Sequence, residues 1–277
     1  MKKSKFAKAL KSLSAELKDY STTKDGQWRI KGFIDSETNI FSISTDTKVL
    51  SKIIEIHLFP IILKFATENG FDLINTDHQN YYPDITFVYK KNPNIKYALD
   101  LKTSYPLPEN PAHCNGFTLG SHGAYFEERD KRKNIQFPYN DYDAHFCLGL
   151  IYTRIDDLDA DDTKIHKLTQ LDKITSVINN FEFFIAEKWK IARDKQGSGN
   201  TANIGSISYI ADILNENGMF SKLGEDWFDD YWINFNKISY TNSKGKMTKI
   251  RNLSEFVKFR KGDSSLIIET TSKRQKT

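Results

Sequence analysis

Hydrophobic positions along the chain alternate between helical and strand periods, and the alternation predicts an ordered series of elements. Phe6, Ala7, Leu10, Leu13 and Leu17 recur at helical spacing, with lysines between them, so an amphipathic first helix docked on a core is expected. Trp28 to Ile34 reads as a strand, residues 35–38 as a turn and Asn39 to Ile43 as the returning strand. A long helix follows, capped by Thr45 or Asp46 and ended by Gly70. Val49, Leu50, Ile53, Ile54, Leu58 and Ile61 mark its buried side, and Pro60 is expected to kink it. Glu55 interrupts this apolar pattern, and a lone Glu there ordinarily lies on the exposed flank.

Two apolar runs, Tyr82 to Tyr89 and Tyr97 to Thr103, flank Lys90-Lys91-Asn92-Pro93-Asn94, the punctuation of a hairpin. Beyond them, Pro106 to Gly116 reads as a Pro/Asn-rich loop, Ala144 to Arg154 as a strongly apolar strand and Phe181 to Ala192 as an aromatic-rich strand containing Trp189. Leu168 to Asn180 carries no decisive period. Trp227, Phe228, Tyr231, Trp232 and Phe235 form an aromatic stripe on a helix, the signature of core packing. No internal repeat is present.

Composition narrows the class. The 277 residues are 39% hydrophobic and 13% aromatic, enough for a packed core. The net charge of +4 is unevenly spread. Both termini are basic, whereas Asp156, Asp157, Asp159, Asp161 and Asp162 crowd one central loop. Basic ends fit a polyanionic partner, and equally fit solvated termini. Cys114 and Cys147 do not make a disulfide framework and fit a reducing compartment. No apolar run reaches the ~18 residues of a membrane span, and the N-terminus lacks the apolar stretch of a signal peptide. A cytoplasmic protein without a membrane partner is expected.

The candidate chemistry sits in the central hairpin. Side chains alternate along a strand, so Leu99 and Leu101 share one face while Ala98, Asp100 and Lys102 share the other. Asp84 opens the preceding strand and can lie beside Asp100. Two carboxylates can hold a hard cation such as Mg2+ by oxygen ligation. A neighbouring lysine can position an attacking water and offset charge developing on a phosphate. A surface hairpin with a solvated Asp–Lys pair is the alternative at this point. Further on, Gly197-Ser198-Gly199-Asn200-Thr201 lacks the ending of a phosphate-binding P-loop. Its glycines allow close backbone approach, and Asn200 can make a bidentate contact to adenine; an ordinary surface turn reads the same way.

Pro83-Asp84 with Asp100-Leu101-Lys102 resembles the active-site signature of the restriction-endonuclease-like nucleases, the PD-(D/E)xK superfamily. More specifically, the chain resembles the EcoRV family of type II restriction endonucleases from the Trp28 hairpin to Tyr231-Trp232. The segments that carry the resemblance occur in order: Ser44 to Leu50 leading to Glu55; Gln79-Asn80; Tyr82-Pro83-Asp84; Asp100 to Thr103 with Tyr105; and Phe117 to Gly120. They continue with Ile151 to Arg154, Lys188-Trp189, Gly197 to Thr201 and Asn203 to Ile207.

The resemblance implies a restriction-endonuclease-like α/β fold, a central mixed β-sheet flanked by helices in a single domain over 1–277. It implies a homodimer on double-stranded DNA, with the hairpin at about 28–43 as dimerisation element and a basic tail from about 244. Asp84 and Asp100 match metal-binding carboxylates, Lys102 the catalytic lysine and Glu55 an auxiliary carboxylate that can also hold metal. Gly197, Ser198, Gly199, Asn200 and Thr201 match the major-groove loop, Gln79 and Asn80 the minor-groove loop, and Thr47 and Lys48 positions near the DNA backbone. The implied activity is Mg2+-dependent double-strand cleavage at GATATC, leaving blunt ends, paired with a protecting methyltransferase. Ala202 departs from the family's threonine, and the loops at 106–115 and 156–180 and the tail after about Ser243 do not follow the family. A repair or junction-resolving nuclease of the same fold, or a DNA-binding module without catalysis, are the rival readings.

Overall fold

The computed structural model describes residues 1–76, 78, 81–155, 165–197, 202–241 and 245–271. The first part of the chain forms α1 (Lys3–Ser21), β1 (Phe33–Ile34), β2 (Asn39–Phe41), α2 (Thr47–Glu68) and β3 (Phe71–Asn75). The central hairpin is β4 (Ile85–Tyr89) and β5 (Lys96–Ser104), followed by β6 (Pro106–Leu107), β7 (Asn110–Cys114) and β8 (Thr118–Ser121). Next come β9 (Ala144–Arg154), β10 (Ile165–Lys167), β11 (Ile178–Glu187), β12 (Ala192–Gln196) and β13 (Asn203–Ser206). The chain ends with α3 (Ile210–Leu214), α4 (Glu225–Ile233), β14 (Ser239–Thr241), β15 (Met247–Lys249) and α5 (Leu253–Phe259).

Five strands make the central sheet in the order β11-β9-β5-β4-β3. Only β5 and β9 run parallel; the other pairs are antiparallel, so the sheet is mixed, as expected. Its period-two side chains separate two cores. On one face Tyr97, Leu99, Phe146 and Leu148 meet Phe6, Leu10 and Leu17 of α1 and Leu50, Ile54 and Leu58 of α2. Phe6 is the hub, stacked on Tyr97 with ring centroids 4.0 Å apart. On the other face Ala98, Cys147 and Ala186 meet Ile204 of β13, Phe228, Tyr231 and Trp232 of α4 and Phe256 of α5. The aromatic stripe is therefore core.

Several expectations change in the folded chain. The first hairpin is shorter than Trp28–Ile43, because Trp28 is drawn fully into the core and donates from Nε1 to His57 Nδ1 at 3.2 Å. Only Phe33–Ile34 and Asn39–Phe41 pair, and β10 joins them as a third strand. In α2 the Asp46 carboxylate is the cap, accepting from Lys48 N and Val49 N. The buried stripe is Leu50, Ile54, Leu58, Ile62, Phe65 and Ala66; Val49 is exposed and Ile53 and Ile61 are half-buried, since the docked face follows the four-residue step. The helix continues unbroken through Pro60, which lies on its exposed side. The expected loop at 106–116 contains the β6–β7 hairpin. The strand expected over 181–192 stops at Glu187, and Trp189 lies in a single 3₁₀ turn, Lys188–Ile191. The region after Ser243 is not merely a tail: Leu253, Phe256 and Val257 of α5 are buried in the second core.

Candidate active site

The register of the central hairpin builds the site. β4 and β5 pair Ile85 with Leu99 and Thr86 with Ala98, so one further step places Asp84 opposite Asp100. Asp84 Oδ2 accepts from the backbone N–H of Leu101 at 2.7 Å, which fixes the carboxylate at the strand's mouth. Lys102 Nζ lies 2.6 Å from Asp100 Oδ2 and 3.8 Å from Asp84 Oδ2. The parallel partner β9 sets Cys147 beside Asp100 and Gly149 beside Lys102. Behind the site, Tyr82 is held by backbone bonds to Asn134 and Gln136, its ring stacks on Tyr125, and its hydroxyl meets His145 Nδ1 at 2.9 Å. The segment preceding Asp84 is thus anchored in the core.

The electrostatics follow from burial. Asp100 is buried, which pushes its carboxyl up to about 7; Lys102 opposes that shift and the neighbouring Asp84 charge adds to it. For Lys102 burial disfavours the ammonium, but Asp100 and Asp84 outweigh it and hold the group above its ordinary value. Two carboxylates against one ammonium leave the trio short of positive charge. That donor set fits a hard divalent cation, with Asp84 and Asp100 as the oxygens that would hold it. Among the described residues, no three His, Cys, Asp or Glu side chains gather into a cage.

Two of the cavities around the site meet at Asp84. One, of about 660 Å³, lies toward α2 and is lined by Thr47, Lys48, Ser51, Lys52, Glu55, Asp84, Thr103 and Tyr105. The other, of about 350 Å³, lies toward β8 and β13 and is lined by Asp84, Asp100, Lys102, Ser121, Asn134 and Asn203. Glu55 therefore faces the same space as Asp84, but its carboxylate pairs with Lys52 at 2.7 Å rather than joining the aspartates. Thr47 and Lys48 share that wall at the first turn of α2.

The site also holds residues that the motif reading passed over. Ser51 stands midway between Thr47 and Glu55 and meets Thr103 Oγ1 at 2.6 Å. A polar stripe at four-residue steps, Thr47–Ser51–Glu55, is its signal in the sequence, and it runs beside the stronger apolar stripe. Asn134 and Ser121 carry no sequence pattern that singles them out. Gln79, Asn80, Ser198, Gly199, Asn200 and Thr201 lie outside the described residues, as does the acidic loop at 156–162. The loop's flanks are described: Gly197 N donates to Asn203 O at 2.9 Å, and His122 N to Ala202 O at 2.7 Å. The second bond uses the backbone of Ala202, so the absence of a threonine side chain there leaves it intact. Among the described residues no helix is long and apolar enough to cross a membrane.

Comparison with known proteins agrees with this geometry. Residues 24–261 match the family model described as restriction endonuclease EcoRV. Over 246 residues the chain is 35% identical to the type II restriction enzyme EcoRV of Escherichia coli, covering 88% of this chain and 96% of that protein. A sheet register that sets Asp84, Asp100 and Lys102 together, and a match running through both cores, place the chain in the EcoRV family of type II restriction endonucleases.

Proposed function

We propose that the chain cuts both strands of duplex DNA as a homodimer in a Mg2+-dependent reaction, at GATATC and with blunt ends. The observation that carries the reading is the trio of Asp84, Asp100 and Lys102, held within 3.8 Å of the lysine ammonium at the meeting of two cavities. Asp84 and Asp100 hold the cation, and Glu55 serves as an auxiliary carboxylate from α2. Once bound, the cation lowers the pKa of water and stabilises charge on the phosphate. Lys102 presents its ammonium to the attacking water and the scissile phosphate. Thr47 and Lys48 line the α2-side cavity, where a DNA backbone can be received.

Base reading falls to Gly197 to Thr201 in the major groove and to Gln79 and Asn80 in the minor groove. Asn200 suits adenine, and a central T-A step is cheap to deform, which together favour GATATC. A palindrome calls for two copies related by a twofold axis. The sheet of β1, β2 and β10 supports this, because Phe33, Ile34, Phe41 and Ile165 are large apolar side chains left exposed on it. An enzyme of this kind needs a methyltransferase to protect its host's DNA.

The test is digestion of DNA of known sequence in Mg2+ followed by sequencing of the ends. Blunt ends at GAT/ATC are expected. Ends at another hexamer refute the assigned site, a requirement for lesions or junctions favours a repair nuclease, and binding without cutting favours a non-catalytic module.

A further inference from the structure

Strand β12 is irregular just before Gly197. It pairs Ala192 with Ser206 and Gln196 with Ile204, four steps against two on β13. Arg193, Asp194 and Lys195 therefore form a bulge of three residues opposite Gly205, a device that re-aims the chain beyond it. Arg193 closes the bulge on its own strand: Nη2 donates to Gln196 O at 2.7 Å and Nε to Lys195 O at 3.3 Å. Gly205 on β13 makes room for it, since a Cβ there would lie 2.6 Å from Lys195 O and 2.7 Å from Arg193 Nε.

Asp194 is the buried member of the bulge. Its Oδ2 accepts from Leu253 N, the first residue of α5, at 3.1 Å. Its carbonyl accepts from the Tyr231 hydroxyl of α4 at 2.7 Å. Asn252 supplies the other cap of α5, accepting from Glu255 N at 2.9 Å. A buried carboxylate is costly unless it is hydrogen-bonded, and here the carboxylate ties the strand to α5 while the carbonyl of the same residue ties it to α4.

We infer that Asp194 is a positioning residue for site selection: it moors the bulge that launches loop 197–201 to α4 and α5. The C-terminal segment thereby sets where that loop stands on DNA without touching a base. This rests on the proposed reading of the loop as the base reader.

The experiment measures kcat/KM for the wild-type chain and for Asp194→Ala, Asp194→Asn and Tyr231→Phe. Substrates are duplexes carrying the cleaved site and its single-pair substitutions at outer and central positions. Asp194→Ala is expected to lower discrimination at the outer pairs about tenfold, through KM, while discrimination at the central step stays unchanged. Asp194→Asn keeps an oxygen acceptor for Leu253 N and is expected to restore most of it. Tyr231→Phe, a milder change, is expected to lower outer-pair discrimination about two- to fivefold.

Unchanged outer-pair discrimination in Tyr231→Phe and in a folded Asp194→Ala overturns the inference. So does an equal loss at outer and central pairs, which would report general loosening. Asn200→Ala in the wild-type background separates the two levels. If it leaves outer-pair discrimination intact, the reading of the loop fails and the inference falls with it. If it abolishes discrimination while the Asp194 and Tyr231 variants do not alter it, only the inference fails.

Discussion

Replacing Lys102 with Met keeps an unbranched side chain one atom shorter and removes its charge. The ammonium lies 2.6 Å from Asp100 Oδ2 and 3.8 Å from Asp84 Oδ2, with 27% of the side chain exposed. A pair of unit charges about 4 Å apart contributes about 1–4 kcal/mol between bulk-water and near-surface screening. Partial exposure places this site in the lower half of that range, about 1–2 kcal/mol. Without the lysine the two carboxylates attract a divalent cation more strongly, by about five- to thirtyfold. The measurement belongs at about pH 9, because losing the lysine lets Asp100 keep its proton beyond the present value of about 7. Cleavage moves the other way. Loss of a group that positions water and stabilises charge costs about 100- to 10,000-fold in rate. Isothermal titration with Mg2+ and plasmid cleavage at saturating Mg2+ read the two effects separately, with circular dichroism to verify the fold. Mg2+ binding tighter by about five- to thirtyfold with cleavage lost is the expected result, and unchanged binding would refute the electrostatic part of the reasoning. Cleavage within about threefold of wild type, or full recovery on adding Mg2+, would refute a role for Lys102 beyond holding the cation.

Two further outcomes test the dimer and the buried lysine. Ile34 is 59% exposed in the single chain, and an interface that covers the exposed part gains about 1–2 kcal/mol from each copy. Ile34→Glu is therefore expected to sediment as a monomer with its fold intact and to lose double-strand cleavage; a stable dimer of the variant would exclude this face. Lys188 is buried, its Nζ has no hydrogen-bond partner among the described residues, and it lies over Tyr139, Tyr82, Phe126 and Phe228 at 4.6, 5.2, 5.2 and 5.9 Å. Burial lowers it from 10.5 to about 7, with Asp229 opposing and Arg129 reinforcing the shift. Between those values the unfolded chain binds the extra proton, so stability rises with pH from about 7 to 10.5 and is lowest below 7. The four rings favour the cation and reduce the effect to roughly a few kcal/mol. Lys188→Met should be the more stable form at pH 6 and should flatten the rise, as read by urea unfolding at pH 6 and 9. An unchanged slope would show that Lys188 is not its source.

The sequence by itself determined what depends on short-range period. Alternation from Tyr97 to Thr103 separated Leu99 and Leu101 from Asp100 and Lys102, and the Lys90–Asn94 turn joined the two strands whose register sets Asp84 opposite Asp100. Helical spacing likewise located Phe6, Leu10, Leu13 and Leu17, because docking one face of a helix leaves a local imprint. The tertiary structure decided everything that depends on which distant segments meet. Parallel pairing of β5 with β9 and the docking of α2 turned an ambiguous Glu55 and an unremarked Ser51 toward the cavity of Asp84. The joining of β10 to β2, the burial of Lys188 among four rings and the mooring of Asp194 to α5 leave no periodic trace either. Each joins residues far apart in sequence whose own neighbours point elsewhere, so only closure of the two cores could reveal it.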